Sequence, residues 1–256
     1  MTTFNSIEHI ERTLQSALSQ DYPNLEIVIA DGGSTDGTVD VIRRYAEKVN
    51  TGRENTTQEN VIRQVLWKSE KDRGIYDGMN KAIQMSTGDI VAVFNDLFTR
   101  TDAVRLMVET IHKGDEQYGP QHCLGAHADL AYMDGDKVVR KWVMGDGTIA
   151  KGWLPAHPTM YLKRRVYEEY GLYDLSYVSS SDYEYMVRIL RDPQNHLAYL
   201  HEELIHMYYG GTSNAGLSGY WRNTKEAYQA LRHNKVQAPG FVIARRILRT
   251  LRQFSH

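Results

Sequence analysis

Leu25–Ala30 (LEIVIA) is an apolar run of strand length, interrupted only by Glu26, and it leads directly into Asp31-Gly32-Gly33-Ser34-Thr35-Asp36-Gly37-Thr38. A helical stretch, Val39–Val49, follows. A buried strand, a glycine-rich turn and a helix in that order open a parallel α/β sheet. Such a sheet places its ligand crevice at the carboxyl ends of its strands, so the turn itself becomes the first candidate site.

Small residues in that turn let a ligand approach the backbone, and Asp31 and Asp36 can accept hydrogen bonds from a base or ribose. A phosphate-cradling loop of the P-loop kind needs a lysine, and this turn has none. The same residues also read as an Asx-rich turn that caps the following helix.

The pattern continues as α/β up to about residue 118. Ile7–Leu18 carries a helical stripe before Asp21–Asn24, a turn; Asn50–Glu59 is a polar loop; Val65–Lys68 is a short strand; Gly74–Met85 is a helix. Asp89–Phe94 is a second strong strand ending at Asn95-Asp96, and Thr101–Lys113 is helical. Ala128–Met133 and Lys137–Val143 alternate around Asp134-Gly135, which predicts an antiparallel hairpin. Met160–Leu162 then reads as a strand, with helices at Arg164–Tyr170 and Asp182–Leu190. Only Met1–Phe4 precedes the first helix, so the opening strand is either very short or continues upstream.

At 256 residues, with 24% charged and 41% hydrophobic residues, the chain has the composition of one ordered domain. A net charge of −2 gives no general attraction to nucleic acid. A lone cysteine, Cys123, and an amino terminus unlike a signal peptide fit a reducing cytoplasm. No apolar run approaches the ~20 residues of a membrane-spanning helix, so membrane contact is expected to be peripheral.

Three further constellations carry chemistry. Glu70–Lys81 (EKDRGIYDGMNK) packs charge around a turn that opens a helix, where Arg73 could meet a diphosphate or simply face water. Asp96, at a strand end, is placed to hold a hard cation, although one carboxylate is a weak metal signal. Asp182, in Ser180-Ser181-Asp182-Tyr183-Glu184, could serve as a general base, while Ser181-x-x-Glu184 reads equally as a capping box.

Taken in order, four pieces of the chain resemble the family-2 inverting glycosyltransferases of GT-A fold. They are Thr2–Ser6 with Gln15–Gln20, Ile29–Thr38, Ser69–Lys81, and His157-Pro158-Thr159 followed by Ser181–Glu184. The resemblance spans roughly residues 2–215, and the Glu70–Lys81 version is most similar to enzymes of bacterial surface polysaccharides such as colanic acid or O-antigen.

The resemblance implies an α/β, Rossmann-like mixed and mostly parallel sheet flanked by helices, with a small antiparallel hairpin and a C-terminal helical tail. It implies a nucleotide-binding half at 1–97 and an acceptor-binding half at 98–226, followed by a tail at 227–256. Thr3, Phe4 and Asp31 would hold the nucleoside. Asp72, Arg73 and Asn80 would lie near the donor, which by family frequency is a UDP-sugar. Asp96 would remain from a carboxylate motif binding Mg²⁺ or Mn²⁺, His157 would line the acceptor side, and Asp182 would take the acceptor proton. The acceptor would be a saccharide or a polyprenyl-linked one.

The sequence departs from the family at Asn95-Asp96-Leu97-Phe98, where a second carboxylate is expected and leucine stands. That leaves open a weaker metal site on Asp96, a metal-independent enzyme using Arg73 and His206, or a non-catalytic nucleotide-binding relative. Tyr208–Thr212, rich in glycine, is expected to form a mobile loop near the donor. In the tail, Ala244, Ile247, Leu248, Leu251 and Phe254 recur at helical spacing after Phe241, beside Arg245, Arg249 and Arg252. Such a helix can lie on the anionic inner face of the plasma membrane, or dock on its own domain or on a second copy in a homodimer.

Overall fold

The computed structural model describes residues 1–52, 62–208 and 216–252. The expected loop at Asn50–Glu59 lies mostly outside these residues, as do Tyr209–Thr212 and Phe254.

The strand–turn–helix opening forms as anticipated. β1 (Thr2–Thr3), β2 (Asn24–Asp31) and β3 (Ile62–Ser69) make a parallel sheet in the order β1-β2-β3, with Thr3 opposite Asp31 and Asp31 opposite Ser69. Helices α1 (Ile10–Leu18) and α2 (Thr38–Asn50) pack beside it. Leu14, Ile29 and Ile42 are fully buried in this layer, each contributing about 1.5–3 kcal/mol of transfer free energy. Helix α1 begins three residues later than its stripe suggested, because Asn5 adopts φ +46° and Ile7–His9 form a turn.

The second sheet is mixed. It contains β4 (Ile90–Ala92), β5 (Leu97–Phe98), β6 (Cys123–Asp134), β7 (Lys137–Trp142), β8 (Tyr161–Lys163) and β9 (His196–Tyr208). Its order is β4-β8-β6-β9-β5, with β7 on β6. Only β6 and β9 pair in parallel; the hairpin β6–β7 and the β4–β8, β6–β8 and β5–β9 pairs are antiparallel. The expected parallel character is therefore confined to the first sheet and the β6–β9 pair. Strand β9, 13 residues long, has no counterpart in the sequence reading.

Helices α3 (Ile75–Met85), α4 (Ala103–Tyr118), α5 (Arg164–Tyr170) and α6 (Ser181–Leu190) flank these sheets. Tyr76, Met79 and Ile83 of α3 share one core with Leu124, Leu162, Tyr185 and Ile189. An apolar cleft of about 580 Å³, lined in part by Met1, Ile27, Val28, Val91, Val93 and Phe98, touches none of the anticipated site residues.

The expected boundaries fall inside elements: residues 97/98 within β5, and 226/227 within α7 (Gly216–His233). Helix α8 (Pro239–Arg252) lies against its own domain. Val242 and Ile243 are buried with Ile149, Tyr183, Val187 and Leu231, and Ile247 packs against them. Arg245 and Arg249 donate to the carbonyls of Ala150 and Met144, and Arg246 lies 4.4 Å from the Tyr183 ring centroid. Much of the apolar stripe is thus used internally, and Phe241 and Leu248 stay exposed. Among the described residues no helix is long and apolar enough to cross a membrane.

Candidate active site

The carboxyl ends of the strands gather the polar residues as the α/β pattern requires. Asp31, at the end of β2, is 2% exposed and accepts from the Gly33 and Ser34 amides at 3.0 and 2.9 Å and from Ser69 Oγ at 2.6 Å, with the Ser34 hydroxyl on its other oxygen. Its carboxylate therefore organises the turn itself. Asp36 accepts from the Thr38 amide and hydroxyl and from the Ile7 amide, and the Thr38 hydroxyl holds its carboxyl below the usual range. The Asx-turn hydrogen bonds form, while the N-cap of α2 is Gly37, which supplies no side-chain cap.

Thr3 is buried, its carbonyl accepting from the Gly32 amide at 2.8 Å, and its hydroxyl has no partner among the described residues. Phe4 beside it is 61% exposed. Asp72 comes close to both glycines of the crevice: a Cβ on Gly32 would stand 2.8 Å from its Oδ2, and one on Gly78 would stand 3.2 Å from it and collide with the Thr2 hydroxyl. A side chain at either position would displace Asp72 or Thr2, so the two glycines let β1, the β2 turn and α3 close around one half-buried carboxylate. Asp72 Oδ1 also accepts from the Gly74 amide at 2.9 Å.

Arg73 and Asn80 both make contacts within the chain. The Arg73 guanidinium is largely exposed and pairs with Asp77 at 2.9 Å, and Asp77 also lies 3.8 Å from Lys81. Asn80 is buried, and its amide binds the backbone of Tyr173 at both its N–H and its C=O.

Asp96 follows β4 on a strand end tied to β1 by the Thr2 amide, which donates to Asn95 Oδ1 at 3.0 Å. It has no hydrogen-bond or ion-pair partner among the described residues, and burial pushes its carboxyl up to about 7. Leu97 pairs with His206 across β5 and β9. His206 Nε2 lies 3.1 Å from Glu203 Oε1, so the expected metal partner is engaged elsewhere. No three His, Cys, Asp or Glu residues gather around a metal position among the described residues. An unpartnered, desolvated carboxylate nevertheless fits a cation whose other ligands come from a diphosphate and water.

On the acceptor side, Asp182 Oδ1 accepts from the Tyr76 hydroxyl at 2.9 Å. His157 Nε2 is 2.6 Å from the Tyr173 hydroxyl, and burial lowers its affinity for a proton while Asp182 acts in the opposite direction. The capping box does not form: the Ser181 hydroxyl donates to the Asp174 carbonyl, and Glu184 pairs with Arg188 at 2.6 Å and with Asn234. Asp182, half-buried in the first turn of α6, is left to face the cluster of Tyr76, Tyr173 and His157. The two tyrosines were missed individually; Tyr76 lay in plain view inside the Glu70–Lys81 motif, while Tyr173 carried no signal of its own.

Residues 1–141, more than half the chain, match the family described as Glycosyl transferase family 2. The chain belongs to glycosyl transferase family 2. The family match ends within β7, and a longer similarity reaches past it: a "PGL/p-HBAD biosynthesis glycosyltransferase" of Mycobacterium bovis is 25% identical over 222 residues, covering 83% of this chain and 77% of that protein. Among solved structures, S. aureus TarS 1–349 in complex with UDP superposes with a TM-score of 0.65 at 15% identity, over 96% of this chain and 69% of that one. Against another TarS structure the TM-score is the same, and this chain spans only 42% of it. The mannosyltransferase PcManGT of Pyrobaculum calidifontis, in complex with GDP-Man and Mn²⁺, gives 0.59 at 18% identity over 96% and 71%. These superpositions place the family 2 chain in the GT-A fold.

Proposed function

We propose that this family 2 glycosyltransferase moves a sugar from a nucleoside diphosphate sugar, with UDP the first candidate, to an acceptor hydroxyl with inversion, in the synthesis of a cell-surface polysaccharide or glycolipid. The observation that carries this reading is the link between the two halves of the site. The loop that brings Asp72 to Gly32 and Gly78 opens α3, and in the first turn of that helix Tyr76 holds Asp182.

In this reading the nucleoside lies along Thr3, Phe4 and the Asp31 turn, and the diphosphate meets Arg73 and the amino end of α3. Mg²⁺ or Mn²⁺ would be held by Asp96, supplying Lewis-acid neutralisation of the leaving diphosphate. Asp182 accepts the acceptor's hydroxyl proton as the acceptor oxygen bonds to the anomeric carbon and the bond from that carbon to the diphosphate oxygen breaks. The nucleoside diphosphate leaves, and the anomeric centre is inverted. TarS and PcManGT, as solved with UDP and with GDP-Man and Mn²⁺, support the donor class and the metal. The acceptor is a saccharide or a polyprenyl-linked one, presented at a membrane surface that Phe241 and Leu248 of α8 would approach.

Calorimetric titration with UDP, GDP and dTDP, each with and without Mn²⁺, tests the reading. Binding of one nucleotide, tightened by Mn²⁺, is the expected result. Absence of binding by all three overturns it.

A further inference from the structure

We infer that Tyr76 is the positioning residue of Asp182: its phenol fixes one oxygen of the carboxylate and leaves the other to take the acceptor proton. The inference rests on the assignment of Asp182 as the base. Four observations lead to it.

First, the contact is long-range and specific. Tyr76 and Asp182 are separated by 106 residues, and the phenol donates to Oδ1 at 2.9 Å. Oδ2 has no partner among the described residues. A carboxylate with one oxygen fixed and one free has the arrangement needed of a general base, because the free lone pair keeps a defined direction.

Second, α6 supplies no side chain of its own to its amino end. Its N-cap, Ser180, makes no capping hydrogen bond, and Ser181 points to the Asp174 carbonyl. The Tyr76 phenol, reaching across from α3, meets the carboxylate carried on that turn.

Third, Tyr76 is 9% exposed and packed among Met79, Ile83 and Tyr185. Burial, reinforced by Asp182, pushes the phenol well above its ordinary pKa, so it remains a donor at every working pH. Tyr76 and Tyr173 ring centroids lie 5.9 Å apart, and Tyr173 reaches His157. The titratable groups that face Asp182 are thus Tyr76 from α3, Tyr173 from the loop before α6, and His157.

Fourth, Tyr76 stands in the first turn of the helix opened by the Asp72 loop. Movement of that loop on donor binding would be passed to the base through one rigid side chain. The ordering of donor site and base would then be coupled, as a transferase that must not deprotonate prematurely requires.

The test uses the whole chain labelled with ¹³C at the tyrosine ζ carbon, the Tyr76 resonance being assigned by its loss in Tyr76→Phe. This resonance is expected to shift in Asp182→Asn, which removes the carboxylate to which the phenol donates. In parallel, nucleotide release from UDP-N-acetylglucosamine and GDP-mannose is followed as a function of pH. Tyr76→Phe keeps the ring, and is expected to lower kcat about tenfold with donor KM nearly unchanged. The acid limb of kcat/KM is expected to move to higher pH, because a hydrogen bond that favours the carboxylate is gone. A purely structural tyrosine would alter stability and leave the limb in place, and that result overturns the inference. A Tyr76 resonance indifferent to Asp182→Asn overturns the contact itself. Failure of the wild-type protein to release nucleotide from either donor overturns its purpose in transfer, while the resonance still decides the contact.

Discussion

Asn80 grips the backbone of Tyr173 from both sides, its Nδ2 donating to the Tyr173 carbonyl at 2.9 Å and its Oδ1 accepting the Tyr173 N–H at 3.0 Å. Tyr173 is 3% exposed and in turn holds His157. Asn80 thus fixes the backbone of the residue against which His157 rests.

Asn80→Ala is expected to strand two buried backbone groups, at a cost of about 1–3 kcal/mol each before relaxation. Urea denaturation should show a fall of roughly 2–4 kcal/mol. Nucleotide affinity should be nearly unchanged, since the lost contacts run to the Tyr173 backbone.

Gly78→Ala would push a methyl group into the Thr2 hydroxyl and within 3.2 Å of the Asp72 carboxylate. Overpacking of this kind costs typically about 1–3 kcal/mol. Thermal unfolding should register that loss, and UDP titration should show weakened binding, because Asp72 must leave its place between Gly32 and Gly78. Unaltered UDP affinity would separate Asp72 from the donor.

His127 is fully buried, stacked on Tyr199 at 4.8 Å, and neither of its ring nitrogens has a hydrogen-bond partner among the described residues. Burial, with a smaller contribution from His201, lowers its pKa to about 3. Because the folded value is depressed, its contribution to stability is intact above the unfolded value of about 6.5 and is lost as pH falls toward 3. Between pH 7 and pH 5 this linkage amounts to roughly 2 kcal/mol. His127→Phe removes the titrating group and its unsatisfied nitrogens, so it should gain on the wild type by about that amount over the same interval. Parallel stability–pH curves for the two proteins would refute the assignment.

Asp182→Asn keeps the shape of the side chain and removes the base. Sugar transfer is expected to fall by about 10²–10⁴, with nucleotide affinity retained in calorimetry. A variant as active as the wild type would exclude Asp182 from proton transfer.

Leu97→Asp would place a second carboxylate beside Asp96, on a residue paired with His206. Nucleotide binding is expected to become more strongly dependent on Mn²⁺, by a factor of about ten or more, as ligand charge increases. Equal Mn²⁺ dependence before and after the change would remove the strand end from the metal question.

The opening of the fold was legible in the chain because its signals are local. Leu25–Ala30 is apolar and of strand length, and the glycines and aspartates of 31–38 admit few structures other than a tight turn before a helix. The ordered motifs at 2–6, 29–38, 69–81 and 157–184 carried the family, and with it the residues at the strand ends. Strand β9 escaped because Glu202 and Glu203 interrupt its apolar run, and its pairing with β6 shifts register near Asp129, which breaks the period of two.

Tertiary structure alone decided what the motif residues do. From sequence, Ser181 and Glu184 read as a capping box beside a candidate base, Arg73 either meets a diphosphate or faces water, and resemblance alone sets Asn80 near a donor. In the fold, Glu184 also accepts from Asn234, 50 residues on, and Asn80 is held by Tyr173 across 93 residues, whereas the Arg73–Asp77 and Glu184–Arg188 pairs are local ones, four residues apart. Likewise the stripe of α8 is written in the chain, but its burial against Ile149 and Tyr183 is not. Sequence fixes periodicity and local turn chemistry because these depend on neighbours a few residues away. The partner of a side chain such as Tyr76 is chosen across 106 residues by the packing of whole helices and sheets, and no local pattern encodes that distance.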